Sequence, residues 1–192
     1  MTLLQVMPDD RAEKVLLHTT DEQTIVTMLE AHEVQFARWE LALDPHVRTT
    51  NEMVVGAYRS KIDELSGHGD YRLVDVVQLR PDDDDPSWPE RAVKARNTFL
   101  NEHRHDEDEV RFFAAGHGCF YLHLDNKVLA VVCEAGDLLS VPAGTLHWFD
   151  MGSRPDFVAI RFFKEEDGWV GDFTGSEISS WFPPLDLLLV TS

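Results

Sequence analysis

Cysteine is scarce in this sequence, and its scarcity excludes a fold held together by disulfide bonds. The 192 residues include only two cysteines, Cys119 and Cys133. Neither belongs to a CxxC pair, the spacing that indicates a redox motif or a zinc site. Both lie in runs of strand-forming residues, so we expect two reduced, buried thiols that do not bind a metal.

Positive charge is also scarce. Lys and Arg together number 17 against 35 Asp and Glu, which gives a formal net charge of −18. Because binding to nucleic acid or to an anionic membrane relies on clustered Lys and Arg, neither partner is expected. An anionic small molecule would have to be attracted by a few local cations against this overall field.

Long hydrophobic runs are absent as well. No stretch approaches the ~18 apolar residues that a membrane helix needs. The opening MTLLQVMPDDRAEK lacks the basic start and apolar stretch of a signal peptide. We therefore expect a cytoplasmic location. A monomer is the expected oligomeric state. The length of 192 residues and the hydrophobic content of 43% fit one globular domain, residues 1–192, with a substantial core.

The first half of the chain mixes helical and strand patterns. Thr20 precedes Gln23 by three positions, as in a capping box, and an apolar helical stripe follows. A second stripe predicts a helix over 51–65, and YRLVDVVQLR predicts a strand. The prolines and four aspartates of Asp82–Asp85 then indicate an exposed loop; without glycine and ligand spacing, these aspartates do not indicate calcium.

From Phe99 to Phe163 the pattern changes to short β-type runs separated by turns. Turn residues recur at intervals typical of a β-sandwich or a small barrel, at Asp125-Asn126, Ala135 to Asp137, Pro142 to Gly144 and Gly152-Ser153. After this region, Pro183 and Pro184 exclude a long C-terminal helix, so a short helix or an irregular tail is expected.

The segment EHRHDEDEVR concentrates residues that bind metals. Side chains alternate across a strand, so His103 and His105 point to the same face. A turn through the following acidic residues could bring Glu109 to them from the neighbouring strand, with Arg111 on the same face as Glu109. The alternative is a set of polar residues on a solvated strand face.

A second segment, GDLLSVPAGTLHWF, supports the metal-binding interpretation. A glycine turn, a strand and a Pro-Ala-Gly turn lead to His147, with Phe149 on the same strand face. Together the two segments resemble the two patterns of the cupin superfamily, G(X)5HXH(X)3–4E(X)6G and G(X)5PXG(X)2H(X)3N. Two positions depart from them: Asn97 stands in place of the first glycine and Met151 in place of the final asparagine.

Longer stretches resemble the acireductone dioxygenase family of that superfamily. They include EHRHDEDEVRFFAAGHGCFYLH, SVPAGTLHWFDMGS and FVAIRFFKEEDGWVGDFTG, with earlier pieces VQFARWE and VVGAYRSKIDEL. The resemblance implies a mainly β protein with a double-stranded β-helix, or jelly-roll barrel, over 99–163. Residues 1–98 would add helices and strands, and residues 164–192 a C-terminal segment.

The same resemblance implies a metal-dependent enzyme. Its metal ligands would be His103, His105, Glu109 and His147, holding one Fe²⁺ or Ni²⁺ per chain. The substrate would be the enediol 1,2-dihydroxy-3-keto-5-methylthiopentene of methionine salvage, which reacts with O₂. The Fe form gives formate and 2-keto-4-methylthiobutyrate, and the Ni form gives formate, CO and 3-methylthiopropionate. Three imidazoles and one carboxylate suit Fe, Ni, Co or Mn, and the ligand set alone does not choose among them.

The resemblance also implies a substrate pocket. Arg111 would be catalytic and contact the substrate, and Phe99, Phe149 and Trp169 would wall the cavity. Arg161, flanked by apolar residues in FVAIRFF, is expected to point inward into a polar pocket and to bind substrate. Each residue has an ordinary alternative: a surface ion pair for Arg111, an edge strand for Arg161, and plain core packing for the aromatic residues.

Two functional alternatives stay open at this point. One is a different metal-dependent cupin enzyme, because this fold supports many chemistries. The other is a non-catalytic cupin that binds a small molecule. Among the remaining histidines, His117 is expected in a turn and His123 on a strand that carries no other ligand, so neither is expected to bind the metal.

Overall fold

The computed structural model describes residues 1–165 and 170–190. Its strands are β1 (Leu3–Pro8), β2 (Leu17–Thr19), β3 (Gln35–Arg38), β4 (Leu73–Leu79), β5 (His103–Arg104), β6 (Glu109–Leu124), β7 (Lys127–Glu134), β8 (Asp137–Val141), β9 (Leu146–Asp150), β10 (Phe157–Phe163) and β11 (Asp172–Phe173). Its helices are α1 (Glu22–Glu30), α2 (Asn51–Ala57), α3 (Arg59–Gly69), α4 (Trp88–Thr98) and α5 (Leu185–Val190), with a 3-10 turn at Ile178–Trp181. None of these helices is both long and apolar enough to span a bilayer.

The long strand β6 joins two half-sheets. Its second part belongs to a half-sheet in the order β11-β5-β9-β6-β7-β1-β2. Its first part pairs with β8 and β10. Strand β8 pairs in turn with β3, and β10 pairs with β4. Gly116, with φ of 69°, lies between the two parts, in the left-handed region that glycine adopts without strain. The mainly β architecture predicted from the sequence is confirmed.

Alternation of side chains along β6 sends residues into different parts of the core. Phe113 and Phe120 point inward between the half-sheets. Phe112 points outward and packs with buried residues of α2 and α3. Tyr121 also points outward, under the C-terminal segment that includes α5. Helices α2 and α3 and the tail therefore cover outer faces, whereas α1 contributes Ile25 and Leu29 to the inner cluster.

Four local predictions need correction. Helix α1 is capped by Asp21, whose carboxylate accepts a hydrogen bond from the Thr24 amide, and not by Thr20. The helix expected over 51–65 is two helices, because Tyr58 leaves helical geometry with φ of −102° and ψ of 12°. A helix, α4, follows the acidic loop and was not predicted. His117 lies inside β6, opposite Glu134, and not in a turn, because the chain passes Gly116 without leaving the sheet.

Other expectations agree with the structure. Cys119 and Cys133 are free and buried, as predicted. Among the described residues, the helical pieces beside the two prolines of the tail, Ile178–Trp181 and Leu185–Val190, are short. Strands β1, β3 and β4, which precede residue 99, join the same half-sheets as the later strands. The division of the chain at residues 98 and 163 stays a prediction.

Candidate metal centre

Four predicted side chains meet at the place where the two half-sheets approach each other. His103 on β5 lies directly opposite His147 on β9, and His105 follows β5 immediately. Glu109, the first residue of β6, comes from the other half-sheet, opposite Val141. One donor atom from each of the four residues lies within 4.8 Å of the others. All four residues are at most 3% exposed.

The expected route to this arrangement was wrong in one respect. Glu109 does not reach the histidines from the strand next to theirs, because β5 pairs with β9 and β11. The carboxylate crosses instead from the facing half-sheet. The cluster therefore forms only when the two halves close on each other.

Backbone carbonyl groups orient all three imidazoles. The Nδ1 atom of His103 lies 2.8 Å from the carbonyl oxygen of Asn101, and that of His147 lies 2.8 Å from the carbonyl oxygen of Thr145. For His105 the partner is the carbonyl of residue 170, at 2.9 Å. A carbonyl oxygen only accepts, so each Nδ1 carries the hydrogen and each Nε2 is left as a lone-pair donor.

The Nε2 atoms of two of these rings face the carboxylate. Glu109 Oε2 lies 2.8 Å from Nε2 of His147 and 3.3 Å from Nε2 of His105. In neutral rings those nitrogens are lone-pair donors, and a carboxylate oxygen also offers only lone pairs. Such contacts are stable when a proton or a cation lies between them. Nitrogen and oxygen donors converging in this way suit a divalent transition metal.

The electrostatics of the cluster favour the metal-binding forms of Glu109 and His103, whereas contact with the Glu109 carboxylate outweighs burial and raises the pKa of His105. Burial alone would raise the pKa of Glu109, but the charge of Arg111 and the contacts of the carboxylate with His105 and His147 outweigh it and hold the pKa well below its ordinary value. Burial, reinforced by the charge of His147, lowers the pKa of His103 to about 4. The carboxylate is therefore ionised and the His103 ring neutral at ordinary pH, as a metal ligand set requires.

Arg111 lies behind the carboxylate. One of its terminal nitrogens donates a hydrogen bond of 2.7 Å to Glu109 Oε1, the oxygen that does not face the histidines. Its guanidinium carbon is 4.1 Å from the ring centre of Phe149 and 5.0 Å from that of Phe120. Arg111 is 4% exposed, so the surface ion pair considered as an alternative does not describe it. The contact between Arg111 and substrate stays a prediction from the sequence.

The other predicted pocket residues lie at different distances from the cluster. The Phe99 ring centre is 5.1 Å from that of His103, and its carbonyl accepts a hydrogen bond from the Phe149 backbone. Phe149 is 1% exposed and packs in the inner core. Arg161 lies opposite Arg111 across the β10–β6 ladder and forms an ion pair with an aspartate of β4. Trp169 falls within 166–169, outside the described residues.

Sequence reasoning missed several groups near the cluster. The orienting carbonyl oxygens leave no signal in a sequence, because every residue has one. The ion pair of Arg161 with Asp75 joins positions 86 residues apart. Phe173, whose ring centre lies 5.2 Å from that of His103, was not singled out either. His117 and His123 lie outside the group of four clustered residues. The expectation that the strand of His123 carries no other ligand was wrong, because β6 also contains Glu109.

The fold and the donor set together define a cupin-type β-barrel with a site that suits a metal. Comparison with known proteins makes the assignment more specific. A family model described as the ARD/ARD′ family matches residues 3–171, and the chain belongs to this family.

Relatives agree along the full length of the chain. A protein named acireductone dioxygenase 2 from Nocardia farcinica (strain IFM 10152) is 60% identical over 189 residues, covering 98% of each chain. An acireductone dioxygenase from Saccharopolyspora erythraea is 51% identical over 191 residues, covering 100% of each.

A solved structure shares the fold. It is described as an acireductone dioxygenase from Bacillus anthracis with a cadmium ion in its active centre. The match has a TM-score of 0.74 and 26% identity, and covers 90% of this chain and 98% of that one. The cupin fold expected from the sequence is confirmed.

Proposed function

We propose that this chain catalyses the reaction of an acireductone with O₂, using one divalent metal held by His103, His105, Glu109 and His147. The observation that carries the proposal is the orientation of the three imidazoles. Each Nδ1 is committed to a backbone carbonyl, and the remaining nitrogens gather at a buried carboxylate. Family membership and relatives of the same name at 51–60% identity support the same reaction.

The four ligand residues set the charge of the proposed metal centre. Three neutral rings and one carboxylate carry a single negative charge, so a divalent ion held there keeps net positive charge, which suits an anionic enediol. When bound, the metal supplies Lewis acidity and a template that orients the substrate. Fe²⁺ and Ni²⁺ are the ions proposed, since donors of this kind suit both.

Arg111 is proposed to have two roles, one toward the Glu109 carboxylate and one toward the substrate. Its hydrogen bond to Glu109 Oε1 keeps the carboxylate ionised and fixes its plane. A buried, permanently charged guanidinium also stabilises negative charge that develops on a nearby substrate oxygen. In a chain with a net charge of −18, such a local cation matters for attracting an anion at all.

The apolar residues around the centre are proposed to exclude water. Phe99 lies against the ring of His103, and Phe149 lies under the guanidinium of Arg111. Walls of this kind protect a reactive intermediate from water and accommodate a thioether tail. Arg161 is proposed to contribute a second cation. Its ion pair with Asp75 is partly exposed, with the arginine side chain at 26%. Trp169 keeps its proposed place in the wall on the family resemblance alone.

The proposed substrate is 1,2-dihydroxy-3-keto-5-methylthiopentene. The proposed products are formate with 2-keto-4-methylthiobutyrate for the Fe form, and formate, CO and 3-methylthiopropionate for the Ni form. Both follow from the family resemblance. The test is to load separate samples of metal-free protein with Fe²⁺ and Ni²⁺, add enzymatically generated acireductone in air, and follow substrate absorbance, formate and CO.

The expected result is substrate loss well above that in heat-inactivated protein, with formate in both samples and CO only in the Ni sample. Equal decay with active and heat-inactivated protein would refute the reaction. Stoichiometric metal binding without turnover would favour the non-catalytic cupin, and turnover of a different enediol would favour another cupin enzyme.

Cytoplasmic location, a monomeric state and a single-domain organisation stay predictions from the sequence. The absence of nucleic-acid and membrane partners has the same status. Light scattering during size-exclusion chromatography measures the mass directly, and a mass of about 21.9 kDa is expected for a monomer.

A further inference from the structure

Residues 170–174, here called the strap, run across the histidines of the proposed metal centre. The carbonyl of Val170 accepts the hydrogen bond from Nδ1 of His105, at 2.9 Å. Phe173 lies opposite His103 in the β11–β5 ladder, and the two ring centres are 5.2 Å apart. The strap therefore orients one imidazole and covers another.

The strap has little apolar burial of its own to hold it in place. Val170 is 69% exposed and Phe173 is 49% exposed. The ladder between β11 and β5 contains only two residue pairs. Segments with few buried apolar contacts and short ladders open locally at low free-energy cost. Accurate placement of the Val170 carbonyl therefore depends on polar attachments.

Glu102 provides such an attachment on the outer face of the sheet. Neighbouring residues of an extended chain point to opposite faces, so Glu102 points away from the cluster that His103 joins. Its Oε2 accepts a 2.8 Å hydrogen bond from the Thr174 hydroxyl, and its backbone carbonyl accepts one from the Thr174 amide at 3.2 Å. Its Oε1 lies 2.7 Å from Nδ1 of His123.

This attachment continues into the body of the protein. Nε2 of His123 lies 3.2 Å from Oδ2 of Asp9, in the loop after β1, and His123 itself is part of β6. Glu102 is 4% exposed. A buried carboxylate is costly unless its oxygens are paired, and both oxygens of Glu102 are paired here. The pairing joins the strap to the most extensively paired strand of the sheet.

We infer that Glu102 is a positioning residue, whose carboxylate fastens the strap to β6 through Thr174 and His123 and so holds the Val170 carbonyl where it orients His105. The inference rests on the proposed metal centre and adds a residue that is neither a ligand nor in contact with the proposed substrate. Residues that orient metal ligands in this way change metal affinity by about 10-fold to 100-fold when they are removed.

The test compares Glu102→Ala and Thr174→Val with the wild-type protein. Thr174→Val removes one hydroxyl with little change in shape, so it stays informative if the alanine variant folds poorly. Asp172→Asn is the matched control, because it breaks the exposed ion pair with Arg104 on the same two strands. Two quantities are measured: amide hydrogen exchange in a peptide covering the strap, and the Ni²⁺ dissociation constant from competition with a chelator.

In Glu102→Ala we expect faster exchange in the strap, unchanged exchange in β7, and a Ni²⁺ dissociation constant about 10-fold to 100-fold higher. Thr174→Val should change both quantities in the same direction by less, and Asp172→Asn should resemble the wild type. Wild-type exchange in the strap of Glu102→Ala would overturn the inference. Weaker Ni²⁺ binding without faster exchange would also overturn it, as would equal effects of Asp172→Asn.

These measurements are separate from the proposed reaction. Neither requires acireductone or O₂, so the positioning role can hold when turnover fails. A wild-type protein that does not bind Ni²⁺ would refute the proposed metal centre. Unchanged amide exchange in the strap of the metal-free variants would refute the positioning role of Glu102, whatever the Ni²⁺ dissociation constant is.

Discussion

Arg111→Met should destabilise the metal-free protein by about 3–5 kcal/mol. Methionine fills most of the volume of arginine, so little of this effect comes from a cavity. The loss comes from Glu109, whose Oε1 accepts a 2.7 Å hydrogen bond from Arg111. The two side chains are 4% and 3% exposed, so water cannot replace the guanidinium. The substitution leaves a buried carboxylate without its countercharge.

Bound metal should reduce the destabilisation caused by Arg111→Met. With Ni²⁺ present, Glu109 again has a cation beside it, and the variant should recover part of the lost stability. Loss of the contact between the guanidinium and the Phe149 ring, at 4.1 Å, is not recovered and leaves a residual cost on the order of 1 kcal/mol. Arg111→Met is therefore expected to depend more strongly on metal for its stability than the wild type does.

The assay is urea unfolding followed by circular dichroism, with and without excess Ni²⁺. Arg161→Met is the matched control. It lies opposite Arg111 on the neighbouring strand, but its ion pair with Asp75 is partly exposed and should contribute no more than about 1 kcal/mol. The reasoning is refuted if Arg111→Met changes the metal-free unfolding free energy by less than about 1 kcal/mol, or if the two variants behave alike.

Three further predictions follow from single positions. His105→Ala should raise the Ni²⁺ dissociation constant by more than about 100-fold in a chelator competition, while His46→Ala, at an exposed position, should not change it. Gly118→Ala would place a methyl group 2.5 Å from the Phe149 ring and should lower the unfolding free energy by about 1–3 kcal/mol. Part of that loss should return in the double variant with Phe149→Leu, and no recovery would argue against the clash. Burial raises the pKa of Asp137 from 3.8 to about 6, so the folded protein holds this proton more tightly than the unfolded chain. Relative to Asp137→Asn, the wild type should lose roughly 3 kcal/mol of unfolding free energy as pH rises from about 4 to 6, and a constant difference would contradict the shift.

Some parts of the fold have no clear pattern in the sequence. Helix α4 was missed because it buries only Trp88 and Ala92, too few apolar residues for a clear stripe. The break at Tyr58 was missed for a related reason. Its ring packs against Phe112 with centres 4.8 Å apart, and its hydroxyl accepts a hydrogen bond from the Ala42 amide. A contact with another part of the chain overrides the local helical pattern.

The environment of the metal donors could not be predicted from the sequence either. The Val170 carbonyl that orients His105 lies 65 residues further along the chain. The pairing of Arg111 with Glu109 joins residues only two positions apart, yet the sequence analysis considered only a contact with substrate or a surface ion pair for that arginine. Which of two neighbouring partners a buried cation contacts depends on rotamers and packing, not on spacing.

The sequence by itself determined which atoms are available for chemistry. Alternation along a strand, a local property of the backbone, predicted that His103 and His105 share one face, and the resemblance to the two cupin patterns added Glu109 and His147 as donors. The tertiary structure alone decided how the donors meet. Glu109 crosses from the opposite half-sheet, backbone carbonyls select the tautomer of each ring, and Glu102 joins the strap to β6. These contacts link distant segments, and only the closure of the two half-sheets brings them within hydrogen-bonding distance.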